Sequence, residues 1–584
     1  MSDDNVKSPH NAKTLDAVLL ARVAESPDHR FLFRPEHNDR ETPVQSISYS
    51  IFDAHVSRLA RLWVAHRLPG HDEPLIQPNS VVGVFFPSGY TICTVIFSVL
   101  RLGGTPFCLS VRNSDDALRH LVRTGNVVAI IASTEHGYAE RIKAVINEQG
   151  GLDKTILELS TDVVADLTPL DAYKEGSYPA LAAGIISGKS IAIQQHTSGS
   201  TAFPKPVPLS NEMLLRSLRG GTWWVEGFHT QDDIAVGQPP IFHMFGLVGG
   251  LLSSMYYGHT FAIPPIPIDD NNGLFPSSET LLSYAHRVGA TEFFGVSSSV
   301  VGLARTDGGM DLFKSLKRVL VAGAPMPREN GDWIVSHGVH LVEGVGSTEG
   351  GSLLHSNRPV GDKGWQAMRV CWNITHHFQP FGPPEQKVYE LVLHSSPQSG
   401  DFPGADPVTG HLSTHDLFRE WPHPGANTWV HCGRSDDVLL LSSGQNWNPR
   451  PMELQIEASA DVQLAVVFGH ARPSLGVLIA PRGAYDTGDS PSTLTNDLKD
   501  AVWRAVEVAN AIAPSNARIA RERVLLVTAH GVLGLDGKMV FGETAGVKDG
   551  MAKKIPVADK GTPLRPKTYV LFADEIDTVY GGVV

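Results

Sequence analysis

Residues 196–211 read HTSGSTAFPKPVPLSN, with Thr197, Ser198, Gly199, Ser200 and Thr201 in succession and a lysine at Lys205. Such a run turns backbone N–H groups and hydroxyls to one side, where they can wrap phosphate oxygens, and the lysine adds a mobile positive charge. The run departs from the GxxxxGK[ST] pattern and precedes no clear helix of the kind that pattern requires. By composition alone, a Ser/Thr/Gly cluster is more often a plain loop.

Other chemistry-bearing residues narrow the field. EGVGSTEGG (343–351) contains GxG but not GxGxxG, and no acidic ribose ligand follows on a second strand. That argues against a nicotinamide-dependent oxidoreductase. The histidines, including the pair His376–His377, show no metal-ligand spacing and read as surface or core residues. The four cysteines, Cys93, Cys108, Cys371 and Cys432, are scattered without CxxC spacing. Neither a disulfide framework nor a zinc site is expected, and a reducing cytoplasm fits. Trp223, Trp224 and Phe228 in GTWWVEGF could form a cage for a cation, although tandem aromatics are more often simple core.

These residues need elements to position them. At 584 residues the chain is too long for one ordinary core, so at least two domains are expected. Hydrophobic residues make up 42% and charged residues 19%, which is globular, and the net charge of −13 argues against a nucleic-acid surface. The first thirty residues carry charge throughout and lack the apolar core of a signal peptide. The apolar runs 81–100 and 246–268 are broken by Pro, Gly, Ser or His, and read as buried strand and helix rather than membrane spans. From about 80 to 440, apolar runs such as VVGVFF, VVAIIAS, RVLVAGA and HLVEGVG alternate with helical stretches such as SDDALRHLVRTG and MDLFKSLK. That pattern predicts an α/β fold with buried parallel sheets. A Pro/Gly-rich loop region is expected at 380–410. A domain boundary is expected near 436: residues 1–435 form a large domain of mixed and parallel sheets flanked by helices, and residues 436–584 a small α+β domain.

TSGSTAFPKPVPLSN resembles the phosphate-loop signature of the adenylate-forming superfamily, which comprises acyl- and aryl-CoA synthetases, luciferases and adenylation domains of non-ribosomal peptide synthetases. Four further stretches follow in the family's order. PPIFHMFGL (239–247) resembles the aromatic–His segment, and EGVGSTEGG the adenine-binding turn. STHDLFRE (413–420) resembles the ribose motif, and GRSDDVLLLSSGQNWNPRPME (433–453) the hinge motif. SVRNSDDALRHLVRTG (110–125) and DKGTPLRPKTYVLFADEIDTVY (559–580) are similar to the adenylation domains of fungal NRPS-like carboxylic acid reductases.

The resemblance implies ATP-dependent activation of a carboxylic acid to an acyl-AMP, with pyrophosphate released, and transfer to a phosphopantetheine thiol on a carrier domain, in cis or in trans. Two anions must meet, so the site needs cations and oriented donors more than a general base. Thr197, Ser198, Gly199, Ser200, Thr201 and Lys205 would hold the β- and γ-phosphates. Glu349 would hold Mg2+, and Thr348 would bind the α-phosphate. Ala322, Gly323, Ala324, Glu343, Gly344, Val345, Gly346 and Ser347 would surround the nucleotide. Asp416 would accept both ribose hydroxyls, and Arg434 would reach the same ribose. Asp436 would be the hinge about which a mobile small domain swings. Lys560 would contact the attacking carboxylate and the α-phosphate, with Lys538 the other candidate. Phe242, His243, Gly323, Gly346, Ser352 and Leu353 would line the acid pocket. His243 stands where amino-acid-activating members carry an aspartate, so an aryl, keto or other non-α-amino acid is favoured. Three departures from the pattern stand out: Ala202 replaces a usual glycine, which could stiffen the phosphate loop, Val345 an aromatic, and Glu343 an amide. A stand-alone acyl- or aryl-CoA ligase and a non-catalytic nucleotide-binding module are the alternative readings. No nucleic acid or membrane partner is expected.

Overall fold

The computed structural model describes residues 8–36, 41–67, 72–147, 154–160, 185–197, 204–220, 230–266, 276–382, 384–422, 425–442, 446–483, 494–511, 513, 517–540, 547–548, 551–558 and 561–581. The apolar runs become buried strands because helices cover both faces of the sheets they form. Val81–Phe85 lies in a six-stranded sheet between Val127–Ser133 and Thr105–Cys108, parallel to both. Thr155–Leu159 and Ile191–His196 extend that sheet in parallel, and Pro206–Ser210 closes one edge antiparallel to Ile191–His196.

A nine-stranded sheet carries Leu341–Ser347, Arg318–Val321, Glu292–Gly295 and Ile234–Gly237 as parallel neighbours. The two sheets share one core, in which Val82, Val84 and Ile130 of the first join Phe294, Leu320 and Val342 of the second. The helix Tyr90–Arg101 is buried on nearly every face. Its last residue, Arg101, is fully buried and donates to Asp16 at 2.8 Å and to Asp53 at 2.7 Å, so the charge is paired rather than stranded. Ser114 caps the helix Asp115–Thr124 by accepting from the Ala117 N–H at 3.3 Å, and Asp115 and Asp116 sit in the first turn, where the helix dipole favours them.

The 380–410 segment is not all loop. Val388–His394 runs through it as a strand between His376–Phe381 and His411–Glu420, antiparallel to both. Leu391 and Leu393 are fully buried there. The VYELVLH run supplies the strand, and the surrounding Pro and Gly residues supply only its turns. Trp429–Arg434 completes this four-stranded sheet.

Beyond Asp437 a further four-stranded sheet forms from Val462–Phe468, Gly476–Pro481, Val524–Thr528 and Gly531–Gly534. One face packs on the helices Arg450–Glu457 and Asn496–Ala511, the other on Phe572 and Ile576 near the end of the chain. Among the described residues no helix is long and apolar enough to cross a membrane.

Candidate active site

A cavity of about 590 Å3 opens where the nine-stranded sheet, the six-stranded sheet, the four-stranded sheet containing Trp429–Arg434 and the C-terminal segment meet. Its floor begins at the end of Ile191–His196. There the Thr197 N–H donates to the Lys205 carbonyl at 3.1 Å, closing the neck of the hydroxyl-rich loop. Thr197 and Lys205 both face the cavity. Ser198, Gly199, Ser200, Thr201 and Ala202, within the loop, lie outside the described residues, as do Trp223, Trp224 and Phe228. A helix does follow, Asn211–Gly220, but only after the intervening strand Pro206–Ser210.

One wall is the hairpin of Leu341–Ser347 and Gly351–His355. Its tip exposes Thr348 and Glu349 to the cavity, and the Gly350 N–H donates to Ser347 Oγ at 2.9 Å, tightening the turn. Gly351 adopts a φ of 70°, and a Cβ there would meet Ser217 Oγ at 2.5 Å, so the tip requires glycine. Glu343, Gly344, Val345, Gly346 and Ser347 line the same wall, with Gly323 and Ala324 beside them. The Glu343 carboxyl is nearly buried, at 5% exposure, and accepts from the Met326 N–H at 3.1 Å. Burial pushes its pKa up to about 7 against the small opposing effect of that hydrogen bond.

The opposite wall is the sheet pairing of Asp416 with Arg434. Asp416 Oδ1 accepts from Arg434 Nη1 and from His431 Nε2, each at 3.2 Å. Burial works against the Arg434 charge, but the carboxylates of Asp416 and Asp436 outweigh it and hold the guanidinium firmly protonated. Asp436, Asp437, Arg450 and Glu453 continue this wall, and residues Thr562 to Pro566 reach it from the end of the chain.

The structure therefore gathers Thr197, Lys205, His243, Gly323, Ala324, the 343–349 run, Asp416, Arg434 and Asp436 around one space. Lys560 lies just outside the described residues, next to the lining segment that starts at Thr562. Lys538 is 85% exposed beside Asp536 and does not line the cavity. Four expected residues are displaced from the lining. Phe242 is turned into the main core, and Ala322 is buried behind Gly323. Leu353 packs with Leu391, Leu393 and Phe418 behind the hairpin. The Ser352 N–H donates to Ser217 Oγ at 3.1 Å, away from the cavity. Past the bulge at Val345/Gly346, strand alternation turns the Leu353 side chain into the packing layer.

His196, His415 and His431 also face the cavity and were not singled out from the sequence. His196 Nε2 accepts from the Ser110 N–H at 3.2 Å. His431 sits three residues before Arg434 on the ribose-motif partner strand, and that spacing was the only available signal.

The model of the AMP-binding enzyme family matches residues 19–372, and that of its C-terminal domain matches residues 436–534. The chain belongs to the AMP-binding enzymes. Among curated relatives of this member of the family, an adenylate-forming reductase of Stachybotrys bisbyi is 24% identical over 86% of this chain and 43% of its own length. Another, from Serpula lacrymans, is 28% identical over 82% of this chain and 42% of its own. A carboxylic acid reductase of Neurospora crassa is 22% identical over 98% of this chain and 51% of its own. The chain thus spans about half or less of these relatives. Among solved structures, the adenylation domain of a carboxylate reductase from Mycobacterium chelonae superposes with a TM-score of 0.71 at 17% identity, covering 99% of this chain and 93% of that one. An anthranilate CoA ligase superposes with a TM-score of 0.69 at 15% identity, covering 96% of this chain and 97% of that one. These two likenesses are of fold. As an AMP-binding enzyme, the chain is an adenylate-forming ligase.

Proposed function

We propose that this chain is the adenylating part of an NRPS-like carboxylate reductase. It would join a carboxylic acid to AMP and pass the acyl group to the phosphopantetheine thiol of a carrier domain. The observation that carries this is the convergence of Thr197 and Lys205, Thr348 and Glu349, and Asp416 and Arg434 on one cavity. The names of the curated relatives add the reductase context.

In the first half-reaction a carboxylate oxygen of the acid bonds to the α-phosphorus, and the bond from that phosphorus to the bridging oxygen breaks. Pyrophosphate leaves with the electron pair, and no proton has to move. The work of the protein is positioning and charge neutralisation. Lys205 and the loop it closes would hold the departing phosphates. Thr348 would donate to the α-phosphate, and Asp416 would accept from the ribose while His431 and Arg434 fix its Oδ1. Lys560, two positions before Thr562 in the sequence, would bridge the two reacting anions.

Glu349 with the adjacent Thr348 and Ser347 offers hard oxygen donors, which suits Mg2+. No group of three His, Cys, Asp or Glu side chains among the described residues could hold a metal alone. That fits an ion that keeps most of its ligands as water and phosphate. When bound, it would neutralise phosphate charge. In the second half-reaction the thiol sulfur attacks the acyl carbon, the bond from acyl carbon to AMP oxygen breaks, and the thiol proton passes to solvent. His243 at the cavity supports an acid without an α-amino group. A cytoplasmic site of action is supported by four free cysteines.

The test is ATP–pyrophosphate exchange against benzoic and hydroxybenzoic acids, arylpyruvates, aliphatic acids, betaine and amino acids, with Lys560→Ala and Lys538→Ala alongside. Exchange with one acid class, lost by about 10²-fold or more in Lys560→Ala alone, is the expected outcome. ATP binding without exchange on any acid would favour a non-catalytic nucleotide module. Thioester formation on coenzyme A but not on a carrier protein would favour the CoA-ligase alternative.

A further inference from the structure

His415 holds a φ of 60°, in the left-handed region that side-chain-bearing residues seldom occupy. It lies in a bulge of His411–Glu420: Ser413 pairs with Val392 and Leu417 with Glu390, so Thr414, His415 and Asp416 together oppose Leu391 alone. The bulge is what turns Asp416 toward the cavity. A glycine at position 415 would supply the required backbone at no steric cost. The bulge therefore explains the conformation but not the imidazole.

The imidazole is placed with some care. Its Nδ1 lies 3.2 Å from Ser435 Oγ, 3.4 Å from Ser413 Oγ and 3.7 Å from Glu390 Oε1. Glu390 Oε1 also accepts from the His415 N–H at 3.2 Å. These groups occupy one ring nitrogen and leave Nε2 without a partner among the described residues. The ring is half exposed, at 51%, and lines the cavity next to Asp416. A side chain anchored on one nitrogen, open on the other and held in a disfavoured backbone state at a cavity wall is the pattern of a ligand-contacting residue.

We propose that His415 is a nucleotide-binding residue, its Nε2 donating to the ribose–phosphate segment of the nucleotide beside the Asp416 carboxylate. This rests on the nucleotide reading given under Proposed function.

The test is calorimetric binding of AMP and of adenosine to the whole chain, for the wild type, His415→Gly and His415→Asn, with thermal unfolding of each. Glycine accepts the left-handed conformation freely and asparagine tolerates it, so both variants are expected to fold with a melting temperature equal to or above that of the wild type. The expected result is a fivefold or greater loss of AMP affinity in both. A parallel loss for adenosine would assign the contact to the sugar, and a loss for AMP alone would assign it to the phosphate. Undiminished AMP affinity in folded His415→Gly would overturn the proposal. A wild type that binds no AMP would instead sink the nucleotide reading itself, so the two failures are distinct.

Discussion

Arg434 grips Asp436 with two donors at once, Nε to Oδ1 at 2.9 Å and Nη2 to Oδ2 at 3.0 Å. Its remaining arm, Nη1, reaches Asp416. One planar guanidinium thus ties the expected ribose ligand to the expected hinge residue, which a point charge could not do.

Arg434→Lys keeps the charge and loses the fork. The expected outcome is about a tenfold loss of AMP affinity, equal to about 1.4 kcal/mol, because Asp416 is no longer held from two sides. Isothermal titration calorimetry with AMP reads this directly. An unchanged dissociation constant would mean that His431 alone orients Asp416.

Glu343 provides a pH-dependent prediction. Its folded pKa is raised to about 7 from an ordinary value of 4.5. The neutral carboxyl is therefore the form the fold prefers. Its contribution to stability is complete below about pH 4.5 and is lost as pH rises toward and through 7. Glu343→Gln is neutral at every pH and should lack this slope. Melting temperatures of wild type and variant from pH 5 to 8 should diverge, the wild type falling relative to the variant. The KM for ATP should titrate over the same range in the wild type alone. Parallel curves would show that the carboxyl is not protonated in the fold.

Much of the candidate site was legible in local pattern, because its chemistry-bearing residues sit in short stretches of distinctive composition. Thr197, Lys205, Thr348, Glu349, Asp416 and Arg434 are far apart in the chain yet converge on one cavity. What escaped was anything set by register. His431 matters because of which oxygen of Asp416 it meets across two antiparallel strands, and His415 because a bulge reverses its backbone. Leu353 was misplaced for the same reason, since a shift of one residue in a strand exchanges its two faces, whereas Phe242 sits in a turn and packs into the main core. In the fold, the parallel sheets followed from apolar runs between helices. The strand Val388–His394 was hidden by the Pro and Gly around it.

Arg565 anchors the segment that reaches the cavity from the end of the chain. Nη1 and Nη2 donate to Glu453 at 2.7 and 3.0 Å, and Nη1 donates also to the Val467 carbonyl at 2.9 Å. Burial opposes the charges of both partners, but each outweighs that cost for the other. Arg565→Met removes one partner and leaves the buried carboxylate with Arg450 at 3.3 Å as its remaining cation and the Val467 N–H at 2.8 Å. The expected loss is about 3–5 kcal/mol, read by urea unfolding of the whole chain as an earlier transition of the C-terminal part. A shift below about 1 kcal/mol would show that Arg450 takes over the pairing.

His243 is expected to select the acid, and its geometry separates that role from a structural one. Its Nδ1 accepts from the Phe245 N–H at 3.2 Å, capping the helix Met244–Gly246, while the ring faces the cavity. Asparagine can accept the same hydrogen bond, so His243→Asn should hold stability, whereas His243→Ala should lose about 1 kcal/mol. His243→Asp also caps, but it brings a second negative charge toward a carboxylate substrate. Pyrophosphate exchange should therefore fall about 100-fold in His243→Asp and far less in His243→Asn, since like charges at short range in a shielded site cost several kcal/mol. Equal losses in the two variants would mean that the imidazole itself, rather than the absence of negative charge, is what the acid requires.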